Sequence, residues 1–309
     1  MKSRICVLSF ILVFLVGLCT RAWPKQGAAF STGVRVWFSK NAKDRRLVNK
    51  KANFILDDSA RKLTVENHAH PLDVSYDDIQ KVVFDVSTHS SGHSNLGWLA
   101  GGLAGAAIEN IHHVSDYWCY IEYKGPNSSI HPYLIEFPEN QSQNAIERFK
   151  AALGDKVAVA GFSETSVTID KHTLKDLQSK DAVKVDKKNH PLPELKPDKA
   201  LVVVVCPPLR IDQEGKGIQF RLHANDQVIA VNKMGTYSFA YLDPGKYLLV
   251  SQARNASGFR MKLEGGKGYY FFQDSFIGVF KFNTILSRHS KELVMYEVKG
   301  AYFSDWKRE

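Results

Sequence analysis

Cysteine is scarce in this chain. Four cysteines in 309 residues cannot make a disulfide scaffold, and two of them, Cys6 and Cys19, lie in an N-terminal apolar run. Cys119 and Cys206 then remain, and two buried free thiols are expected rather than a bridge. Long apolar runs are lacking too. Ile5 to Cys19 spans 15 residues, short of the ~20 that a membrane-crossing helix needs. The usual catalytic signatures are also missing. No serine sits in a Gly-x-Ser-x-Gly elbow, and Glu264-Gly265-Gly266-Lys267-Gly268 lacks the full phosphate-loop spacing. The paired acids Asp57-Asp58 and Asp77-Asp78 occupy turn sequences, where Asp is favoured for backbone reasons. These absences argue against an enzyme and against a bound cofactor.

What is present begins with an export signal. Lys2 and Arg4 precede the apolar run, and Thr20-Arg21-Ala22 offers small residues for cleavage before Trp23. Residues 1–22 are therefore expected to act as a signal peptide, cleaved or else retained as an anchor, and the protein is expected to work outside the cytoplasm, periplasmic, secreted or associated with a membrane. That location disfavours nucleic acid as a partner. Cleavage lowers the formal charge from +9 to +6 by removing Lys2, Arg4 and Arg21. The remaining cations are spread along the chain, apart from the stretches 43–51 and 180–199.

From residue 50 onward the pattern is one of short strands. "KANFILDD" and "RKLTVEN" flank Asp57-Asp58-Ser59 and predict a hairpin. "LDVSYDDIQKVVFDVS" turns at Tyr76-Asp77-Asp78, and "YWCYIEYK" and "IHPYLIEFP" flank Gly125-Pro126-Asn127. The period then changes. Ile146, Phe149 and Leu153 recur at helical spacing, with Asn140 or Ser142 as candidate caps and Gly154 as the stop. Residues 161–199 read as a linker, with "TLKDLQSK" as two helical turns and a Pro/Lys-rich extended stretch after it. "ALVVVVC" at 200–206 predicts a buried strand. Strand-length segments follow to "KGYYFFQD", and "ELVMYEVK" reads as a last strand.

Two resemblances emerge from these motifs. "LDVSYDDIQKVVFD", "WCYIEYK" and "AIERFKAALGDKV" resemble a pleckstrin-homology-like (GRAM-like) domain over residues 33–160. In one bacterial group of that kind, a glycine-rich apolar insert separates the same two strands. The resemblance implies a curved sheet or barrel closed by a C-terminal helix, of a kind that commonly binds lipid head groups or peptides. Gly235-Thr236-Tyr237, Asp243-Pro244-Gly245-Lys246-Tyr247 and Gly265-Gly266-Lys267-Gly268-Tyr269-Tyr270-Phe271 resemble the bacterial domain of unknown function 2846. That second resemblance implies an exported, PEGA-like or immunoglobulin-like antiparallel β-sandwich over residues 200–303, with no catalytic residue to carry over. The expected fold class is mainly β.

Three candidate sites follow. The insert at 96–108 contains "GWLAGGLAGAA", in which Gly97, Gly101 and Gly105 recur every four residues beside Trp98 and Leu103. As a helix it would span about 20 Å at ~1.5 Å per residue, so it can lie on a membrane surface, pack against another helix or fold back onto its own sheet, but not cross a bilayer. Tyr269, Tyr270, Phe271 and Phe272 alternate between two faces of a strand, which offers an exposed aromatic platform if only one face is buried, the other reading being burial of the second face under a loop or against the neighbouring domain. His89, His93, His112 and His113 flank the insert and form a minor candidate for metal binding. The expected activity is binding to an envelope protein, a membrane surface or a glycan, or self-association into a homo-oligomer through the insert.

Overall fold

Alternating apolar residues build the first sheet, as at Leu63 and Val65 or at Leu72 and Val74, which point inward while their neighbours face water. The computed structural model describes residues 29–41, 44–91, 112–162, 183–208, 218–253, 255–278 and 281–306. The predicted signal peptide lies outside the described residues, as does "TLKDLQSK". The chain is mainly β.

The first half contributes β1 (Phe30–Asn41), β2 (Asp44–Asp57), β3 (Lys62–Glu66), β4 (Leu72–Ser75), β5 (Ile79–Ser91), β6 (His112–Lys124), β7 (Ile130–Phe137) and β8 (Val157–Phe162). They form one sheet in the order β4-β3-β2-β1-β7-β6-β5-β8, a four-strand and a three-strand meander joined through β1 and β7. The β2–β3 turn is held by Asp57, whose Oδ1 accepts from the Ser59 and Ala60 amides at 2.9 and 3.0 Å. Helix α1 (Glu139–Leu153) buries Ala145, Ile146 and Phe149 against this sheet. Its stop is Gly154, at φ 55°. Its start differs from the expected caps. Pro138 holds the N-cap, and the Ser142 hydroxyl instead donates to the Glu139 carbonyl at 2.8 Å.

The second half supplies β9 (Val183–Asp186), β10 (Ala200–Cys206), β11 (Phe220–Ala224), β12 (Gln227–Asn232), β13 (Thr236–Leu242), β14 (Gly245–Gln252), β15 (Ala256–Leu263), β16 (Gly268–Gly278), β17 (Lys281–His289), helix α2 (Lys291–Gly300) and β18 (Tyr302–Trp306). A six-stranded sheet runs β17-β16-β10-β13-β18-β9, and a four-stranded sheet runs β12-β11-β14-β15. Two expectations need correcting here. The six-stranded sheet is mixed rather than antiparallel, because β10 pairs parallel with β16 and β13 with β18. "ELVMYEVK" is helical. The Ser290 hydroxyl caps the Leu293 amide, and the buried set Leu293, Val294, Glu297 and Val298 has helical spacing. The stretch read as a linker also contributes structure: residues 161–162 end β8, and β9 joins the six-stranded sheet.

Three cores stack on one another. The first lies between α1 and the eight-stranded sheet. The second lies between the other face of that sheet and the six-stranded sheet, with Trp37, Val83, Trp118, Tyr120 and Leu134 meeting Leu201, Val203, Val205 and the apolar side of α2. The third fills the space between the six- and four-stranded sheets. Both larger sheets are thus covered on both faces, which accounts for the unbroken apolar sequence of β10.

Several tyrosines are set in these layers. Burial pushes the Tyr76, Tyr120, Tyr133 and Tyr296 phenols well up, with Asp58 beside Tyr76 and Glu122 beside Tyr120 adding to it. A phenol raised in the folded state contributes stability that is present below its unfolded value of ~10 and is lost as pH rises beyond it. Urea midpoints are therefore expected to hold up to about pH 10 and to fall above it. Unchanged midpoints well above that pH would contradict the burial.

Candidate interaction site and the seam behind it

Strands β5 and β6 outrun their sheet. Their mutual pairing continues to Ser91 opposite His112. The β5–β8 pairing stops at Ser87 with Phe162, and the β6–β7 pairing stops at Tyr117 with Phe137. The two strands therefore continue as a two-stranded ribbon, about 14 Å long at ~3.4 Å per residue, and residues 92–111 connect its ends. In sequence, the apolar insert falls between these two strands. Gly97, Trp98, Gly101, Leu103, Gly105 and His93 themselves lie outside the described residues.

The histidine candidates divide accordingly. His89 pairs with Val114, His113 with Ser90 and His112 with Ser91, so all three occupy the ribbon backbone. Among the described residues no cluster of three or more potential metal ligands occurs. Also among them, no helix is long and apolar enough to cross a membrane.

The aromatic platform is a correction. Tyr269, Tyr270, Phe271 and Phe272 are all buried, at most 8% exposed. Tyr269 and Phe271 enter the sandwich core, while Tyr270 and Phe272 enter the core shared with the first half. The alternation was read correctly, but the second face is covered by the eight-stranded sheet and α2. Cys119 and Cys206 are buried free thiols whose burial pushes their titration up, so neither is an activated nucleophile.

A polar cluster that sequence reasoning missed lies in the seam between the halves. The Asp85 carboxylate of β5 reaches His289 at the end of β17, with Oδ1 3.1 Å from Nδ1. Its Oδ2 accepts the Ser290 amide, at the N-terminus of α2, where a negative charge is favoured. The other ring nitrogen of His289, Nε2, lies 2.9 Å from the Ser287 hydroxyl, which donates to Asp274 Oδ2 at 3.1 Å. Lys81 of β5 pairs with Glu292 of α2 alongside. The Tyr296 hydroxyl donates to the Trp37 carbonyl at 3.0 Å.

An Asp–His–Ser line invites comparison with a hydrolytic triad, yet its serine has a second acidic neighbour and the line is buried. In a triad the imidazole accepts the serine proton, whereas here the Ser287 hydroxyl stands between His289 Nε2 and Asp274 Oδ2, a second acceptor for its one hydrogen. Asp85, Ser287 and His289 are also 1%, 6% and 3% exposed, which leaves a substrate no approach. The arrangement binds sheet to sheet. Asp85 and His289 stand 204 residues apart, and no local motif in the sequence links them. No family model matches the sequence, and no curated protein matches it.

Proposed function

We propose that this chain is an exported, envelope-associated binding protein without catalytic activity, and that it contacts its partner through residues 96–108. The carrying observation is the β5–β6 ribbon, whose pairing runs on to Ser91 and His112 past the last pairs with β8 and β7, the insert lying between these two strands in sequence. A contiguous apolar, glycine-rich segment is of the composition that gains by burial against another surface. The strand order, two meanders joined through β1 and β7 with α1 behind them, supports a pleckstrin-homology-like reading of the first half. The facing six- and four-stranded sheets support a sandwich reading of the second, with parallel pairs that an antiparallel module would lack. The partner is an envelope protein, a lipid surface or a glycan. The four-residue glycine spacing favours self-association as the second reading.

Deleting residues 96–108 tests both readings, because the two ends of the ribbon can be closed by a short turn. The deletion variant is expected to fold with an unchanged circular dichroism spectrum. It should also move from the membrane or complexed fraction to the free pool. Gly101→Leu, measured by light scattering, is expected to lower the mass if the protein self-associates. A deletion that changes neither partition nor mass would overturn the proposal.

A further inference from the structure

The seam cluster fixes a protonation state by counting hydrogens. Ser287 has one hydroxyl hydrogen, and Asp274 Oδ2, an acceptor, takes it at 3.1 Å. At 2.9 Å from Nε2, the Ser287 oxygen can therefore only receive a hydrogen from the ring. On the other side, Nδ1 faces Oδ1 of Asp85, also an acceptor. With both carboxyls ionised, both ring nitrogens donate, and a ring that donates from both is an imidazolium.

We infer that His289 is held as an imidazolium between Asp85 and Asp274, and that this charge is a pH-sensitive latch closing the eight-stranded sheet onto the six-stranded one. The neighbouring charges are consistent with this. From β5 the cluster is faced by Asp85 and by Lys81, whose charge is matched by Glu292 of α2. From β16 it is faced by Asp274, and from α2 by the Ser290 amide. Strand β8 carries no titratable side chain. Cys206 of β10 is a buried thiol, and burial keeps it neutral. On β17 itself the Arg288 guanidinium lies over the Phe162 and Tyr269 rings, 4.7 and 5.5 Å from their centroids. Lys246, Arg260 and Lys262 of β14 and β15 belong to the sheet on the far side of the sandwich core. Two carboxylates thus bracket one imidazole.

The direction of the pH effect follows. A histidine that gains acid partners on folding stabilises the fold fully below its unfolded value of ~6.5, and loses that contribution as pH rises through its folded value. For each unit by which the ring titrates above ~6.5, the folding equilibrium constant falls about tenfold across the window. The window closes below ~10, where the tyrosines begin to act.

Imidazole nitrogen–proton correlation NMR of the wild-type chain reads the state directly. At about pH 7.5, a unit above the ordinary imidazole value, both nitrogens of His289 are expected to be protonated. The urea midpoint of the wild type should fall between about pH 6.5 and pH 9, while that of His289→Gln stays flat. An unprotonated Nε2 at that pH, with the proton resident on Asp274, would overturn the inference, as would titration at or below ~6.5. If His289→Gln does not fold, through-bond assignment in the wild type still decides the matter.

Discussion

Phe149→Ala is expected to lower the unfolding free energy by about 3–5 kcal/mol, the range for a large aromatic lost from a packed core. Phe149 is fully buried and is the largest of the side chains that α1 buries. Its ring stacks on Phe54 at 5.6 Å and meets Phe84 edge-on at 5.3 Å, and Phe54 in turn touches Phe137 at 5.1 Å. Those three partners come from β2, β5 and β7, so one truncation loosens the helix from both meanders at once. Urea unfolding followed by circular dichroism measures it. Phe149→Leu, which keeps most of the volume, should recover a large part of the loss. A cost under ~1 kcal/mol would mean that the first core repacks around the gap.

Asp85→Asn is the second large effect, expected at about 3–5 kcal/mol because removing one partner strands a buried charge on the other. The amide keeps the shape of the carboxylate, so the loss reports charge rather than volume. The double variant Asp85→Asn/His289→Gln separates that charge from the rest of the seam. It is expected to be more stable than Asp85→Asn alone, since no unpaired imidazolium is left behind. Additive losses in the cycle would show that the two side chains do not interact.

The strands were legible wherever one face of a sheet met one core, because alternation and turn residues then agree. Asp57 at its turn and Gly154 at the helix stop acted as the sequence suggested. The helix α2 was misread for a physical reason. Leu293, Val294, Met295 and Tyr296 are consecutive apolar residues, two of them of strand-favouring type, and they obscure a helical stripe whose real signals were Ser290 as cap and Glu292 in the first turn. Of the two readings of the aromatic strand, burial of its second face against the neighbouring half holds and the exposed platform does not. "ALVVVVC" carried the warning, since a strand without alternation is covered on both sides, and β16 lies directly beside it. The Asp85–His289 pair is a different case. It depends on two sheets meeting, and nothing within either stretch of sequence encodes that meeting.

The middle core has a consequence for anyone who wishes to cut the chain in two. Trp37, Trp118 and Tyr120 are inside only because the second half covers them, and Tyr270 and Phe272 are inside only because the first half does. A break within residues 163–182, however gentle to the backbone, would release two pieces that each carry a raw aromatic wall where the other belongs. Such pieces are complementary halves of one object. Mixed together they should seek each other, and kept apart they should seek anything apolar.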